Sequence, residues 1–152
     1  MKEDSVIDVK TVFPKMGQQE SQFEEMYRRM AAGFGITQCE MWIYYFLLLG
    51  GEGVTQQTIS SQMRYPKQTV NSAVAKLVRS GMVAIADGAG RSKVLSLTPQ
   101  GQAFANATVR RLVEAELRAA ERFGSRKLAT LYRLSGEYLQ ALQKEFDNSL
   151  LS

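Results

Sequence analysis

Thr55-Gln56-Gln57-Thr58-Ile59-Ser60-Ser61-Gln62-Met63-Arg64-Tyr65-Pro66-Lys67-Gln68-Thr69-Val70-Asn71-Ser72-Ala73-Val74-Ala75-Lys76-Leu77-Val78-Arg79-Ser80-Gly81 is the stretch that decides the fold. Thr55 caps a short helix over about Gln56 to Met63, with Ile59 and Met63 turned inward. Arg64-Tyr65-Pro66 breaks it, and Pro66 suits the first position of a second helix, where an N–H would be unsatisfied anyway. That helix runs to about Ser80. Val70, Ala73, Val74, Leu77 and Val78 share one face, while Gln68, Asn71, Ser72, Ala75, Lys76 and Arg79 lie opposite. Gly81 is a suitable stop.

The flanks extend the pattern. Downstream, Met82 to Ala86 and Lys93 to Leu97 are β-rich and surround the loop Asp87-Gly88-Ala89-Gly90-Arg91-Ser92, which predicts a hairpin. Thr98 as N-cap and Pro99 at the first position start a helix with no internal proline to about Phe123, roughly 37 Å long. A last helix spans about Arg126 to Asn148, with Leu128, Leu131, Tyr138, Leu142 and Phe146 in a stripe. Upstream, Thr37-Gln38-Cys39-Glu40 reads as a capping box before the apolar run Met41 to Leu49, a central buried helix. Gln18 to Ala32 is amphipathic through Phe23, Met26, Tyr27 and Met30, and residues 1–16 read as irregular, ending near Pro14.

Composition narrows the chemistry. The 152 residues suit one domain and carry 45% hydrophobic and 22% charged residues, ordinary for a globular chain. There is no histidine and a single cysteine, Cys39, so His-based triads, His-containing metal sites, Cys-rich zinc sites and an internal disulfide are excluded. No spacing points to carboxylate or lysine catalysis; neither catalytic residues, nor a metal, nor a cofactor is expected. Met41 to Leu49 is far short of the ~20 residues that cross a bilayer. The N-terminus lacks a basic region followed by an apolar stretch, so no membrane partner and a cytoplasmic location are expected. The net charge of +4 is mild, but the bases cluster. Between Arg64 and Lys93 stand Arg64, Lys67, Lys76, Arg79, Arg91 and Lys93, against the single acid Asp87. A polyanion partner suits that cluster, although charge by itself leaves a solvated basic face equally open.

Short helix, turn, amphipathic helix and hairpin, in that order, make a helix-turn-helix with a wing. The outer face of the second helix offers amides, hydroxyls and bases, the groups that bond base edges and phosphates, and no large apolar side chain. Arg91, near the loop tip, is suited to the negative potential of a minor groove.

From Thr55 to Val83, and again over Arg91-Ser92-Lys93-Val94-Leu95-Ser96-Leu97-Thr98-Pro99-Gln100-Gly101, the sequence resembles the MarR family of transcription regulators. The resemblance implies a mostly α winged helix-turn-helix with a small β-hairpin wing. Residues 1–152 would form one such domain, with 37–98 binding DNA and 17–33 and 99–148 as dimerisation helices. It implies a homodimer on a pseudo-palindromic operator of double-stranded DNA, most often as a repressor released by a small aromatic ligand or an oxidant. The residues expected to meet DNA are Thr55, Gln56, Lys67, Gln68, Thr69, Asn71, Ser72, Lys76, Arg79, Arg91 and Lys93. One departure stands out: the family's wing usually carries an acid two positions before the arginine, whereas this chain has Ala89 there and its nearest acid is Asp87. Trp42, Tyr44, Tyr45 and Phe46 could line a ligand pocket, but packing as core is the simpler reading. Cys39, in the first turn of its helix, is the candidate redox residue, against the plainer reading of a small buried filler. The competing functional reading is a winged-helix protein-interaction module or antirepressor with little DNA affinity; Lys76, Arg79 and Arg91 on the outer face argue against it.

Overall fold

In the computed structural model, which describes residues 8–51 and 53–151, the elements are α1 (Val9–Gly33), α2 (Gln38–Leu49), α3 (Gln56–Met63), α4 (Lys67–Arg79), β1 (Val83–Asp87), β2 (Lys93–Leu97), α5 (Pro99–Ala107), α6 (Val109–Phe123) and α7 (Ser125–Leu151). The mostly α winged helix-turn-helix expected from the sequence is the observed fold, with a two-stranded antiparallel wing. Two compact units meet between Arg111 and Leu112, inside α6.

The first unit is built around α2. Its capping box is complete: the Glu40 N–H donates to Thr37 Oγ1 (3.2 Å) and the Thr37 N–H donates to Glu40 Oε2 (2.7 Å). Beyond the cap the helix is apolar on nearly every side, and it meets α1, α3, α4, α5 and β2. Met41, Ile43 and Tyr44 are fully buried, and Trp42 nearly so. Burial of one such side chain contributes about 1.5–3 kcal/mol. Tyr27 of α1 packs on Trp42 at a ring separation of 4.9 Å, and Phe104 of α5 on Tyr44 at 5.0 Å. The aromatic run is therefore core, as the simpler reading had it.

α4 lays Val70, Val74 and Leu77 into this core; Val78, expected on the same face, is 37% exposed at its edge. Its end is a Schellman motif: the Gly81 N–H donates to the Val78 carbonyl (3.0 Å) and the Met82 N–H to the Leu77 carbonyl (2.9 Å). Gly81 takes φ +74°, where a side chain would be strained. The chain then enters the wing, paired from Val83↔Leu97 to Asp87↔Lys93.

Five boundaries differ from those the sequence predicts. α1 already begins at Val9, although Pro14 lies inside it. Asp8 caps the helix, accepting from the Lys10 N–H (3.1 Å), so the proline removes one interior hydrogen bond without ending the helix. The part of the irregular reading that covers 1–7 lies outside the described residues. Pro66 is the N-cap of α4, one position before the helix, because its ψ of 137° is extended. β1 is shifted by one residue to Val83–Asp87, since the Met82 N–H is used by the cap. The single helix expected from Pro99 to Phe123 breaks at Thr108 (φ −125°, ψ −79°). There the Thr108 hydroxyl donates to the Phe104 carbonyl four residues back (2.7 Å), a back-bond that bends helices. Finally, the last helix extends to Leu151.

The start of α5 is held against the end of α4. Thr98 donates from its hydroxyl to the Gly81 carbonyl (2.6 Å) and from its N–H to the Met82 carbonyl (3.1 Å), and its hydroxyl accepts from the Gly101 N–H (3.0 Å). At Gly101 a Cβ would stand 1.9 Å from the Met82 carbonyl oxygen. Only glycine allows this approach of backbone to backbone. Gly101→Ala is expected to destabilise the protein by about 1–3 kcal/mol, the usual cost of forced overpacking. A urea-unfolding midpoint equal to wild type would show that α5 can move off Met82 freely.

The second unit comprises the rest of α6 and α7. α7 has no buried residue among those described; Leu128, Leu131, Leu134, Leu139 and Phe146 are all at least 41% exposed, and Tyr138 and Leu142 are half-buried. Leu117 and Phe123 of α6 are also exposed. α1 shows the same feature in the first unit, with Phe13, Phe23 and Met26 open to solvent.

Candidate nucleic-acid interface

The outward surface of α4 is polar and exposed along its length. Gln68, Ser72, Ala75 and Arg79 form its midline, at spacings of three and four residues. Lys67 and Asn71 lie on one flank and Thr69 on the other. The two flanks border different clefts.

The first cleft, about 290 Å³, is lined by Thr55, Gln56, Gln57, Ser60, Lys67, Asn71, Arg91, Ser92 and Lys93. Three elements meet there because the wing is tied to α3 at its base. The Leu95 N–H donates to the Val54 carbonyl (2.8 Å), and Thr55 forms a β-bridge with Val94. Thr55 also caps α3, its hydroxyl accepting from the Thr58 N–H (3.1 Å). Six of the residues expected to meet DNA, Thr55, Gln56, Lys67, Asn71, Arg91 and Lys93, are thus brought together. Gln57, Ser60 and Ser92 share the cleft and were not singled out from the sequence; helical spacing from Gln56 is the signal that could have found the first two.

The wing resolves the missing acid. Asp87 pairs with Lys93 directly across the hairpin, not with Arg91. Arg91 is exposed and makes no ion pair or hydrogen bond among the described residues. Its loop is nonetheless closed, by bonds from the Gly88 N–H to the Ser92 carbonyl (2.9 Å) and from the Ser92 hydroxyl to the Ala89 carbonyl (2.8 Å).

The second cleft, about 310 Å³, lies at the start of α2 and is lined by Thr37, Cys39, Glu40, Thr69, Ser72, Ala73 and Lys76. Here Lys76 departs from the rest of the outer face. Its ammonium stands 2.6 Å from Glu40 Oε1, and the Glu40 side chain is only 2% exposed. Burial pushes the Glu40 carboxyl up, but hydrogen bonds from Lys76 and Thr37 outweigh it and hold the group below the usual carboxylate range. The same buried charge, with burial itself the larger cause, pushes the Tyr44 hydroxyl up to about 12. Among the described residues no cluster of acids or Cys could hold a metal, and no helix is long and apolar enough to cross a membrane.

Residues 35–92 match the family model described as MarR family. No curated protein matches the sequence. Among solved structures, NMB1585, a MarR family regulator from Neisseria meningitidis, shares 20% identity over 90% of this chain and 96% of its own, with a TM-score of 0.79. The MepR–DNA complex of S. aureus shares 17% identity over 88% and 99%, with a TM-score of 0.67. NadR in complex with 4-hydroxyphenylacetate shares 18% over 90% and 94%, with a TM-score of 0.66. The resemblance seen in the sequence from Thr55 to Gly101 is borne out by the family match and by the shared fold.

Cys39 is 7% exposed, and its thiol is pushed up first by burial and then by the neighbouring Glu40 charge. Both effects oppose thiolate formation, against the helix N-terminus that favours it. Cys39 is expected to react with a disulfide reagent at neutral pH far more slowly in the folded protein than in urea. Equal rates in the two states would mean that the thiol is open and available to an oxidant.

Proposed function

We propose that this chain, with the fold of the MarR-family regulators and a match to that family over residues 35–92, is a transcription regulator that binds DNA sequence-specifically. The observation that carries the reading is the cleft where α3, α4 and the wing converge, with Lys67, Arg91 and Lys93 around the amide of Asn71. α4 enters the major groove. Gln68, Asn71 and Ser72 read base edges, and Thr69 and Arg79 meet the backbone at its sides. Thr55, Gln56, Lys67 and Lys93 bind phosphates, while Arg91, unpaired by any acid, extends along the minor groove. The DNA-bound state of the S. aureus MepR neighbour supports this use of the fold.

The protein acts as a homodimer, residues 17–33 and 99–148 supplying the interface. The exposed apolar side chains of α1, α6 and α7 support it, since contiguous apolar surface on soluble proteins marks interaction sites. Two recognition helices then reach half-sites one DNA turn apart, ~34 Å, on a pseudo-palindrome. Repression in the cytoplasm, relieved by a small aromatic ligand, completes the reading. The 4-hydroxyphenylacetate bound to the NadR neighbour supports that class of effector, and the burial of Cys39 counts against an oxidant.

Two measurements test this. In fluorescence anisotropy, DNA from upstream of the protein's own gene is expected to bind more tightly than scrambled DNA, with a steep salt dependence. Lys67→Ala and Arg91→Ala each lower the slope of log K against log salt by about 0.9, one phosphate contact. If both variants keep the wild-type affinity and slope, α4 and the wing do not face DNA, and a protein partner becomes the better reading. In sedimentation equilibrium at micromolar concentration the chain is expected to run at twice its 17.0 kDa mass. A monomer with α6 and α7 folded would leave their apolar surface without its occupant and sink the dimer.

A further inference from the structure

Lys76 sits on the exposed side of the proposed recognition helix, yet its charge is already engaged. Glu40 lies at the third position of α2, and its carboxylate is used on both oxygens: Oε2 accepts the Thr37 N–H (2.7 Å) and Oε1 accepts the Lys76 ammonium (2.6 Å). The carboxylate is 2% exposed, whereas the lysine side chain is 61% exposed. The asymmetry sets the direction of dependence. Lys76 can be hydrated if it leaves, but Glu40 would remain buried without a cation, an expensive state. Helix dipoles reinforce the pair, because Glu40 stands in the first turn of α2 and Lys76 in the last turn of α4. A DNA phosphate competing for this ammonium would have to pull it off a buried anion.

We propose that Glu40 is a positioning residue of the DNA-binding face, which holds Lys76 on the protein so that this lysine sets the seating of α4 against α2 and makes no phosphate contact. The inference rests on the DNA-binding reading above and refines it: of the two bases in the last turn of α4, Arg79 faces the DNA and Lys76 faces inward to Glu40. Glu40 then limits non-specific affinity by withholding one positive charge from the backbone.

Salt-dependent DNA binding of the full-length protein tests the proposal. Glu40→Gln keeps a side chain able to accept from Thr37 but releases Lys76, so the slope of log K against log salt is expected to steepen by about 0.9. Adding Lys76→Gln to that variant should return the slope to the wild-type value. If Lys76 already contacts phosphate in the wild type, Glu40→Gln leaves the slope unchanged and the double variant falls about 0.9 below wild type; either result overturns the proposal. Urea unfolding of the wild type, both single variants and the double variant supplies a DNA-free reading of the same pair. Non-additive midpoints support it, and additive ones overturn it. Should the wild type bind no DNA at any salt concentration, the regulator reading fails, and the unfolding cycle still decides whether Glu40 holds Lys76. A single variant that does not fold, while the double variant does, is itself non-additivity.

Discussion

Burial of α2 on nearly every side is the constraint on which the rest of the first unit depends. α1, α3, α4, α5 and β2 all meet this one helix, so each is placed by the shape of its apolar surface. A helix with Met41, Ile43 and Tyr44 fully buried has little freedom to slide or rotate without opening cavities. Its N-terminus is the polar exception. There the capping box uses the same carboxylate that meets Lys76, so one buried charge both ends α2 and ties it to α4. The recognition helix is thereby held from beneath by Val70, Val74 and Leu77, and at one flank by an ion pair.

The second organising feature is the junction of α4, the wing and α5. A Schellman cap at Gly81, the Thr98 hydroxyl on the Gly81 carbonyl and the contact of Gly101 with Met82 bring three chain segments to one point. The wing leaves and returns through that point, and its far strand is bound to α3 through Val54 and Thr55. The cleft holding Lys67, Asn71 and Arg91 follows from these backbone bonds, which set the separation of wing and helix. The wing lacks the acid that orients its arginine in the related family, and Asp87 serves Lys93 in its place. That leaves Arg91 held by its loop and by no carboxylate.

Much of this was legible in local chemistry. Thr37-Gln38-Cys39-Glu40, Thr55 and Thr98-Pro99 announce helix starts because caps depend on side chains within three residues, and the structure has each of them. The inward set of α4 was readable from spacing for the same reason, Val78 at the edge of the stripe excepted. Failures came where one local signal competed with another. Pro14 suggested a boundary, but the Asp8 cap sustains the helix through it; Thr108 carried no warning, yet its hydroxyl bends the chain back on Phe104.

The sequence by itself determined the order of elements, the face of α4 that is apolar and the group of side chains available for DNA, since periodicity and capping act over a few residues. Tertiary structure alone decided which of those side chains are free to act. Lys76 and Arg79 stand three residues apart with the same charge, and no local rule separates them. Only the approach of α2 places a buried carboxylate under one of them, and only packing shuts Cys39 away from solvent. Electrostatic pairing and desolvation depend on neighbours that are distant in sequence, and folding is what brings those neighbours together.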